Sequence, residues 1–363
     1  MNLVELQNIS KTFYKKDDLE HTVLSDISFS VKRGECFTII GPNGSGKTTL
    51  LRIIALLEKQ TRGKMFYDGK DIINLSNKEI VMYRRKFSFV RQKPVVLNTS
   101  VANNIAYGLK LRNVEKEEII SKVKEILDLV GLRGLANKNA RSLSGGEMQR
   151  VAIAMNFILS PEIYLLDEVS ANLDPKNAAL LDELITKIKQ NKEKTIILST
   201  HDPLEAIKYA DHIGVLINGK LTQVDTPDNI FTSPKDDFTA HFVGYENIFE
   251  GIAHIDQKSG LNRIKIKDLN ITASVQKEGT VKVCIRPESI VIAKTPPAKT
   301  SFRNSFKGKI DKIRDLGNIC HVFVICDSQK FLITVTKQSR INLDLKPESD
   351  VYISFKATDI KCL

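Results

Sequence analysis

Residues 41–48 read GPNGSGKT, a G-x-x-x-x-G-K-[ST] string set between an apolar run and the helical stretch Thr49–Leu57. That spacing suits phosphate binding. Gly41, Gly44 and Gly46, with Pro42, Asn43 and Ser45 between them, leave backbone N–H groups free to close on phosphate oxygens, and the start of the helix adds partial positive charge. Lys47 can reach β- and γ-phosphates, and Thr48, followed by Thr49, can turn its hydroxyl to Mg²⁺. A second group closes the apolar run Ile163–Leu166 with two adjacent acids, Asp167 and Glu168. One carboxylate can serve the metal shell and the other an attacking water: Asp167 is expected to hold Mg²⁺ through its water, and Glu168 to orient or deprotonate the nucleophile. The implied chemistry is hydrolysis of a nucleoside triphosphate with Mg²⁺.

These groups need a frame that brings distant segments together. From Glu35 to about Ile217, short β-branched runs alternate with helical periodicity, which predicts an α/β fold with a parallel sheet and crossover helices. Strands are expected at Cys36–Ile40, Ile163–Leu166, Thr195–Leu198 and Ile213–Ile217. Within Glu115–Val130, Ile119, Val123, Ile126, Leu127 and Val130 recur at helical spacing, and helices dominate from about 99 to 160. Asn218-Gly219 reads as a hairpin turn. Beyond Pro227 and Pro234 the pattern shifts to short alternating segments such as Phe331–Val335 and Val351–Phe355, which predict a small all-β domain. The expected division is 1–235, with a helical subdomain about 93–160, followed by 236–363.

A length of 363 residues accommodates about two domains, and 42% hydrophobic with 27% charged residues is an ordinary globular balance. No apolar run approaches the roughly 18 to 20 residues of a membrane span, and MNLVELQNIS lacks the basic start and apolar core of a secretory signal, so a soluble cytoplasmic chain is expected. Cys36, Cys284, Cys320, Cys326 and Cys362 form no C-x-x-C pair and suit reduced thiols. The net charge of +11 is uneven, since residues 245–363 hold 20 Lys and Arg against 13 Asp and Glu. Such a balance suits nucleic acid, a membrane surface or a small anion, and charge alone does not choose among them.

Between the two acid-and-phosphate motifs lies LSGGEMQR, residues 143–150, which resembles the signature sequence of the ABC ATPases; the resemblance covers about residues 1–235. It implies a P-loop ABC ATPase domain with a helical subdomain, in which two copies pair head to tail and the signature of one closes over the γ-phosphate held by the other. Ser144, Gly145, Gly146 and Glu147 then act in trans, with a hydroxyl and unobstructed N–H groups at a helix start. By the same resemblance Phe13, in SKTF, stacks on adenine; Gln92, in VRQKP, links the Mg²⁺ site to the transporter interface; His201, in STHD, contacts the γ-phosphate. Asp174 closes SANLD, the segment crossing the dimer interface, and can also cap the following helix. Val169, Met155 and Glu147 depart from commoner family residues, and the insertion-like stretch Lys15–Val23 lengthens the loop after Phe13; altered packing rather than lost chemistry is expected of Val169 and Met155.

The last third resembles the small OB-like (TOBE/Mop-like) regulatory β domain of molybdate and tungstate importer ATPases. SFRNSFKGK at 301–309 resembles an element that binds tetrahedral oxyanions, with Phe302 in place of the family's Ala, and VYISFKATDI resembles that domain's last strand. Arg303 would supply a planar donor fork, Ser301 and Asn304 neutral donors, and Lys356 a point charge. RQKPVVLNTSVANNIAYGLK and FVGYENIFEG also look like this subgroup. The resemblance implies an importer ATPase on the cytoplasmic face of the membrane, partnered by a second copy, integral permease subunits and an extracytoplasmic oxyanion-binding protein, with no nucleic acid. Sulfate, ferric ion, sugars and polyamines are alternative cargoes. A ribosome- or DNA-serving ABC ATPase would call for duplicated cassettes or a coiled coil, and an oxyanion-responsive DNA regulator for a helix-turn-helix; none is visible.

Overall fold

The computed structural model describes all residues except 15–19, 73, 171–172, 258–259 and 299. The chain divides into two units, Met1–Asp228 and Asn229–Leu363.

The first unit opens on a hairpin of β1 (Asn2–Tyr14) and β2 (Glu20–Lys32), then runs through β3 (Cys36–Ile40), α1 (Lys47–Ile54), β4 (Arg62–Tyr67), β5 (Lys70–Asp71), α2 (Asn77–Arg84) and β6 (Phe87–Val90). The helices α3 (Val101–Leu111), α4 (Lys116–Leu129) and α5 (Gly145–Phe157) follow. β7 (Ile163–Asp167), α6 (Pro175–Gln190), β8 (Thr195–Thr200), α7 (Pro203–Tyr209), β9 (His212–Ile217) and β10 (Lys220–Asp225) complete it. The expected strands and helices are present within a few residues. Asn218-Gly219 turns the antiparallel β9–β10 pair, and α4 keeps Ile119, Val123, Ile126 and Leu127 buried, with Glu115 and Val130 as its caps.

A six-stranded sheet, ordered β10-β9-β3-β8-β7-β6, carries the chemistry. Its inner strands are parallel, and every residue of β3, β7 and β8 is buried. Burial on both faces explains why these strands read as continuous apolar runs. Successive side chains enter opposite cores: Leu165 packs with Phe37, Leu50 and Ile54, while Leu166 packs with Ile105, Ile126 and Val151 of the helical region. Because β3, β7 and β8 run the same way, the segments that leave their C-terminal ends emerge along one edge, where ligands of open α/β sheets bind.

The antiparallel sheet β2-β1-β4-β5 lies outside the expected α/β pattern, which began at Glu35. Its signal was a plain alternation: Ile27, Phe29 and Val31 are buried while Asp26, Ser28, Ser30 and Lys32 between them are exposed. Phe29 stacks on Phe37 of β3 with ring centroids 4.7 Å apart. Of the insertion-like stretch, residues 15–19 lie outside the described residues, and Glu20–Val23 begin β2.

The second unit is all-β as expected, apart from short helices. α8 (Pro227–Thr232) crosses into it, and α9 (Asp237–Phe242) precedes β11 (Asn247–Ile255), β12 (Asn262–Ile266), β13 (Leu269–Ala273) and β14 (Gly279–Ile285). β15 (Val291–Ala293), β16 (Asn304–Asp315), β17 (Ile319–Cys326), β18 (Gln329–Thr336), α10 (Lys337–Asn342), β19 (Asp350–Phe355) and β20 (Ile360–Cys362) follow. The boundary falls before the expected position because Arg286 donates to the Phe231 carbonyl at 3.2 Å and Lys282 pairs with Asp237, tying the intervening segment to β14.

Two five-stranded sheets, β13-β12-β11-β14-β20 and β15-β19-β16-β17-β18, enclose one apolar core. Two buried asparagines stitch them together. Asn247 on β11 accepts from the Leu332 N–H at 2.6 Å and donates to the Leu332 carbonyl at 2.9 Å. Asn304 on β16 accepts from the Thr272 N–H at 2.7 Å and donates to the Thr272 carbonyl at 2.9 Å. Among the described residues, no helix is long and apolar enough to cross a membrane. All five cysteines are unpaired, and burial pushes the Cys36, Cys284 and Cys326 thiols up to about 12.

Replacing Asn247 with Ala orphans both backbone groups of Leu332, so the second unit should lose about 1–3 kcal/mol for each buried group left unpaired. Denaturant titration of the variant against the parent checks this through the shift in midpoint.

Candidate active site

The turn after β3 ends at Gly46, whose φ of 106° lies in the left-handed region, and α1 starts at Lys47. A Cβ at Gly46 would stand 2.7 Å from Leu24 Cδ2, so glycine is demanded by both conformation and space. The turn folds back on its own lysine: Lys47 Nζ donates to the Gly41 carbonyl at 2.8 Å and to the Pro42 carbonyl at 3.2 Å. Ser45 is buried, and its hydroxyl has no protein partner. An orphaned hydroxyl, a cation and a helix start in one turn fit a polyphosphate.

Thr48 and Asp167 meet across the sheet edge. The Thr48 hydroxyl lies 2.9 Å from Asp167 Oδ2, and the Ser199 hydroxyl donates to Asp167 Oδ1 at 2.7 Å. Among the described residues no cluster of three or more His, Cys, Asp or Glu side chains could cage an ion. The Asp167 carboxylate beside the Thr48 hydroxyl fits Mg²⁺, which is commonly held by one or two carboxylates together with substrate phosphates.

Glu168 is the junction of the site. It is a non-glycine residue with φ of 48°, and its N–H donates to the Ser199 carbonyl at 3.0 Å. Its Oε1 lies 3.1 Å from Lys47 Nζ, and its Oε2 is 3.4 Å from His201 Nδ1 and accepts from Gln92 Nε2 at 3.4 Å. Gln92 thus reaches Glu168. A cavity of about 540 Å³ gathers Asn43, Gly44, Gly46, Lys47, Thr48 and Thr49. Gln92, Glu168, His201 and Val23 line the same space. Gly41, Pro42 and Ser45 shape the turn behind it. Phe13 lies outside this lining; it is 38% exposed on β1, with Lys11 Nζ 4.5 Å from its ring centroid.

The signature residues stand apart from that cavity. Ser144 is the N-cap of α5, and a reciprocal capping box joins it to Glu147: the Ser144 N–H and hydroxyl each lie 2.9 Å from Glu147 Oε2. The Ser144 hydroxyl, expected to face a phosphate, is therefore turned into its own helix cap. Nothing lies within 4 Å of where a Gly145 Cβ would be, so that backbone is open, whereas a Cβ at Gly146 would meet Asn177 Nδ2 at 2.5 Å. Asp174 caps α6 by accepting from the Asn177 N–H at 3.1 Å, as anticipated, and its other carboxylate oxygen holds the Asn177 amide. Residues 171–172 of SANLD lie outside the described residues. Val169 is buried and Met155 packs at the edge of the same core, in keeping with packing roles.

Sequence reasoning missed Ser199 and Glu205. Ser199 immediately precedes the Thr200-His201 pair and offered its position as a signal. Glu205, four residues past His201, lies in the first turn of α7, and its Oε2 accepts from Ser170 at 2.8 Å and also from Thr200.

Over 99% of both chains, 37% of residues are identical to the molybdate/tungstate import ATP-binding protein WtpC of Pyrococcus horikoshii. The chain belongs to the ABC transporter family. The ABC transporter family pattern matches residues 24–171 and the TOBE domain residues 300–362. The spermidine/putrescine import ATP-binding protein PotA of Clostridioides difficile is 34% identical over 98% of each chain. The ATP-binding cassette MJ0796, solved as a dimer in a post-hydrolysis state with ADP and Pi, superposes with a TM-score of 0.58 at 31% identity, covering 62% of this chain and 98% of that one. This ABC chain is an importer ATPase subunit that binds ATP.

In the TOBE unit of this ABC subunit, Asn304 is corrected as an anion donor: it is buried, and its amide is spent on Thr272 and the Phe355 carbonyl. A string read without its register does not reveal which side chain turns inward. Ser301, Arg303 and Lys356 remain exposed. Asn304 pairs with Phe355 in the β16–β19 ladder, so Arg303 and Lys356 leave that ladder at the same end.

The capping box holds Glu147 below the ordinary carboxylate range through its hydrogen bonds from Ser144. A depressed acid stabilises the fold above its unfolded value and loses that contribution as pH falls through the folded one. The stability difference between parent and Glu147→Ala should thus be constant at neutral pH and shrink once pH drops below 4.5, the ordinary value. Thermal unfolding of both proteins at stepped pH measures it.

Proposed function

We propose that this chain is the ATPase subunit of a molybdate/tungstate importer, working as a homodimer beneath a membrane permease on the cytoplasmic face. The observation that carries the catalytic reading is Glu168 within reach of Lys47, His201 and Gln92 in the lining of one cavity. The turn at 41–48 and Lys47 bind the β- and γ-phosphates of ATP. Thr48 and Asp167, the latter aimed by Ser199, would hold Mg²⁺, with Gln92 at the rim; the ion neutralises phosphate charge when bound. Glu168 orients and deprotonates the attacking water, and His201 contacts the γ-phosphate. A phosphate arriving at Lys47 competes with Glu168 for the ammonium, which frees the carboxylate for water as the substrate seats.

Two copies are needed because Ser144, Gly145, Gly146 and Glu147 do not line the phosphate cavity of their own chain. The open backbone at Gly145 suits a γ-phosphate presented by the second copy, and Asp174 lies against the signature turn through its bond to Asn177. Phe13, exposed on β1, is the platform for adenine. A groove of about 800 Å³ between α3 and α4, lined by Ala102, Ala106, Ile119, Ile120, Val123 and Leu127, supports a permease as the membrane partner.

The cargo assignment draws on the relative from Pyrococcus horikoshii, alike over 99% of both chains, and on the basic TOBE unit. Ser301, Arg303 and Lys356 then sense the cytoplasmic oxyanion and slow transport when it is plentiful. The polyamine-importer relative at 34% identity favours a second reading, but a cationic cargo matches poorly a region with 20 Lys and Arg against 13 Asp and Glu.

Glu168→Gln should keep ATP binding while hydrolysis falls by about 10² to 10⁴. Nucleotide binding and phosphate release from the purified chain measure the two separately, and near-parental turnover rejects the role of Glu168. Calorimetric titration of the full chain with molybdate, tungstate, sulfate and spermidine tests the sensed ligand. Arg303→Ala should weaken oxyanion binding by roughly 10-fold or more, the worth of a charged hydrogen bond, and Lys356→Ala should do so to a smaller degree. Binding of spermidine and not of the oxyanions would overturn the assignment.

A further inference from the structure

Glu205 is an acid on the first turn of α7, where an exposed side chain would ordinarily suffice, yet only 7% of it is exposed. Its Oε2 accepts from the Ser170 hydroxyl at 2.8 Å and from the Thr200 hydroxyl. The two donors come from different parts of the sheet edge. Ser170 lies two residues past Glu168 on the segment leaving β7, and Thr200 ends β8 immediately before His201. Thr200 is held again from the other side, since its Oγ1 accepts from the Asp202 N–H at 3.0 Å, and Asp202 caps α7 through the Leu204 N–H at 2.8 Å. One carboxylate oxygen is therefore the shared anchor of the segments that carry the two groups facing the γ-phosphate.

That anchor is expensive in desolvation, because a buried carboxyl must be repaid by hydrogen bonds. Burial pushes the Glu205 carboxyl above its ordinary range. The cost is placed where geometry is most demanding. Glu168 holds a left-handed φ of 48° and contacts His201 Nδ1 at 3.4 Å, so a small shift of either segment separates them. Strained conformations of this kind persist only where the surroundings over-determine them. The Glu168 N–H to Ser199 carbonyl bond is one restraint; the Ser170–Glu205–Thr200 bridge is a second, acting from beyond Glu168.

We infer that Glu205 is a positioning residue for ATP hydrolysis, fixing Glu168 relative to His201 by holding Ser170 and Thr200 on one acceptor oxygen. The inference rests on the roles proposed above for Glu168 and His201. It predicts a defect in the chemical step rather than in nucleotide binding, because neither Glu205 nor its donors line the phosphate cavity.

The test is steady-state ATPase of the purified full-length chain for the parent, Glu168→Gln, Glu205→Ala, Glu205→Gln and Ser170→Ala. Glu205→Ala should lower kcat by about 10- to 100-fold, the scale expected for a displacement near 1 Å, with KM for ATP held within about threefold. Glu205→Gln keeps an acceptor oxygen at the same reach and should restore kcat to within about threefold of the parent. Parental kcat in Glu205→Ala, a rise in KM in place of a fall in kcat, or a Gln variant as impaired as Ala would each overturn the inference. If Glu205→Ala does not fold, Ser170→Ala decides: a lowered kcat at constant KM supports the bridge, and an unchanged kcat overturns it. An inactive parent, or a fully active Glu168→Gln, would instead overturn the catalytic roles themselves.

Discussion

Lys47 Nζ and Glu168 Oε1 stand 3.1 Å apart with only 5% and 13% of their side chains exposed, and the first unit is organised around making that contact affordable. Two charges drawn out of water cost several kcal/mol each unless further hydrogen bonds complete their shells. Lys47 is completed by the Gly41 and Pro42 carbonyls, so the turn before α1 holds its own lysine. Glu168 is completed by Gln92 and His201. Those partners leave β3, β6, β7 and β8, and only a parallel sheet with buried faces delivers all four ends to one edge. The apolar cores on either side are the means of keeping that edge in register.

What was legible in the sequence was local. GPNGSGKT, the Asp167-Glu168 pair and LSGGEMQR each carry their geometry within a few residues, because a turn, a strand end and a helix cap are short-range objects. The β1–β2 hairpin was missed although Ile27, Phe29 and Val31 alternate plainly, since the apolar runs after Glu35 dominated the reading. Ser199 and Glu205 escaped for a deeper reason. A serine facing Asp167 across 32 residues, or a glutamate gathering Ser170 across 35, is set by which strands neighbour each other, and strand order has no short string. Asn304 failed in the opposite sense: its string drew it toward an anion, while the β16–β19 register turned it inward to bind Thr272.

The second unit shows the same division of labour between stitching and display. Its two sheets are joined by Asn247 and Asn304, each offering an acceptor and a donor to the same backbone residue of the opposing sheet. With the asparagines buried, Arg303 and Lys356 are left at one end of a fixed ladder. A guanidinium next to a fully bonded neighbour on a fixed ladder has a defined starting point for its rotamers.

The alternation along β7 bears on how this protein can change. Leu165 enters one core and Leu166 the other, and Asp167 and Glu168 follow directly. Deleting or adding one residue upstream would exchange the two leucines between environments and rotate the acids away from Thr48 and Lys47 together. Swapping one aliphatic side chain for another of similar volume would do neither. The strand is thus permissive to drift in identity and closed to drift in length, and the address of the two carboxylates is written in residues that never meet the nucleotide.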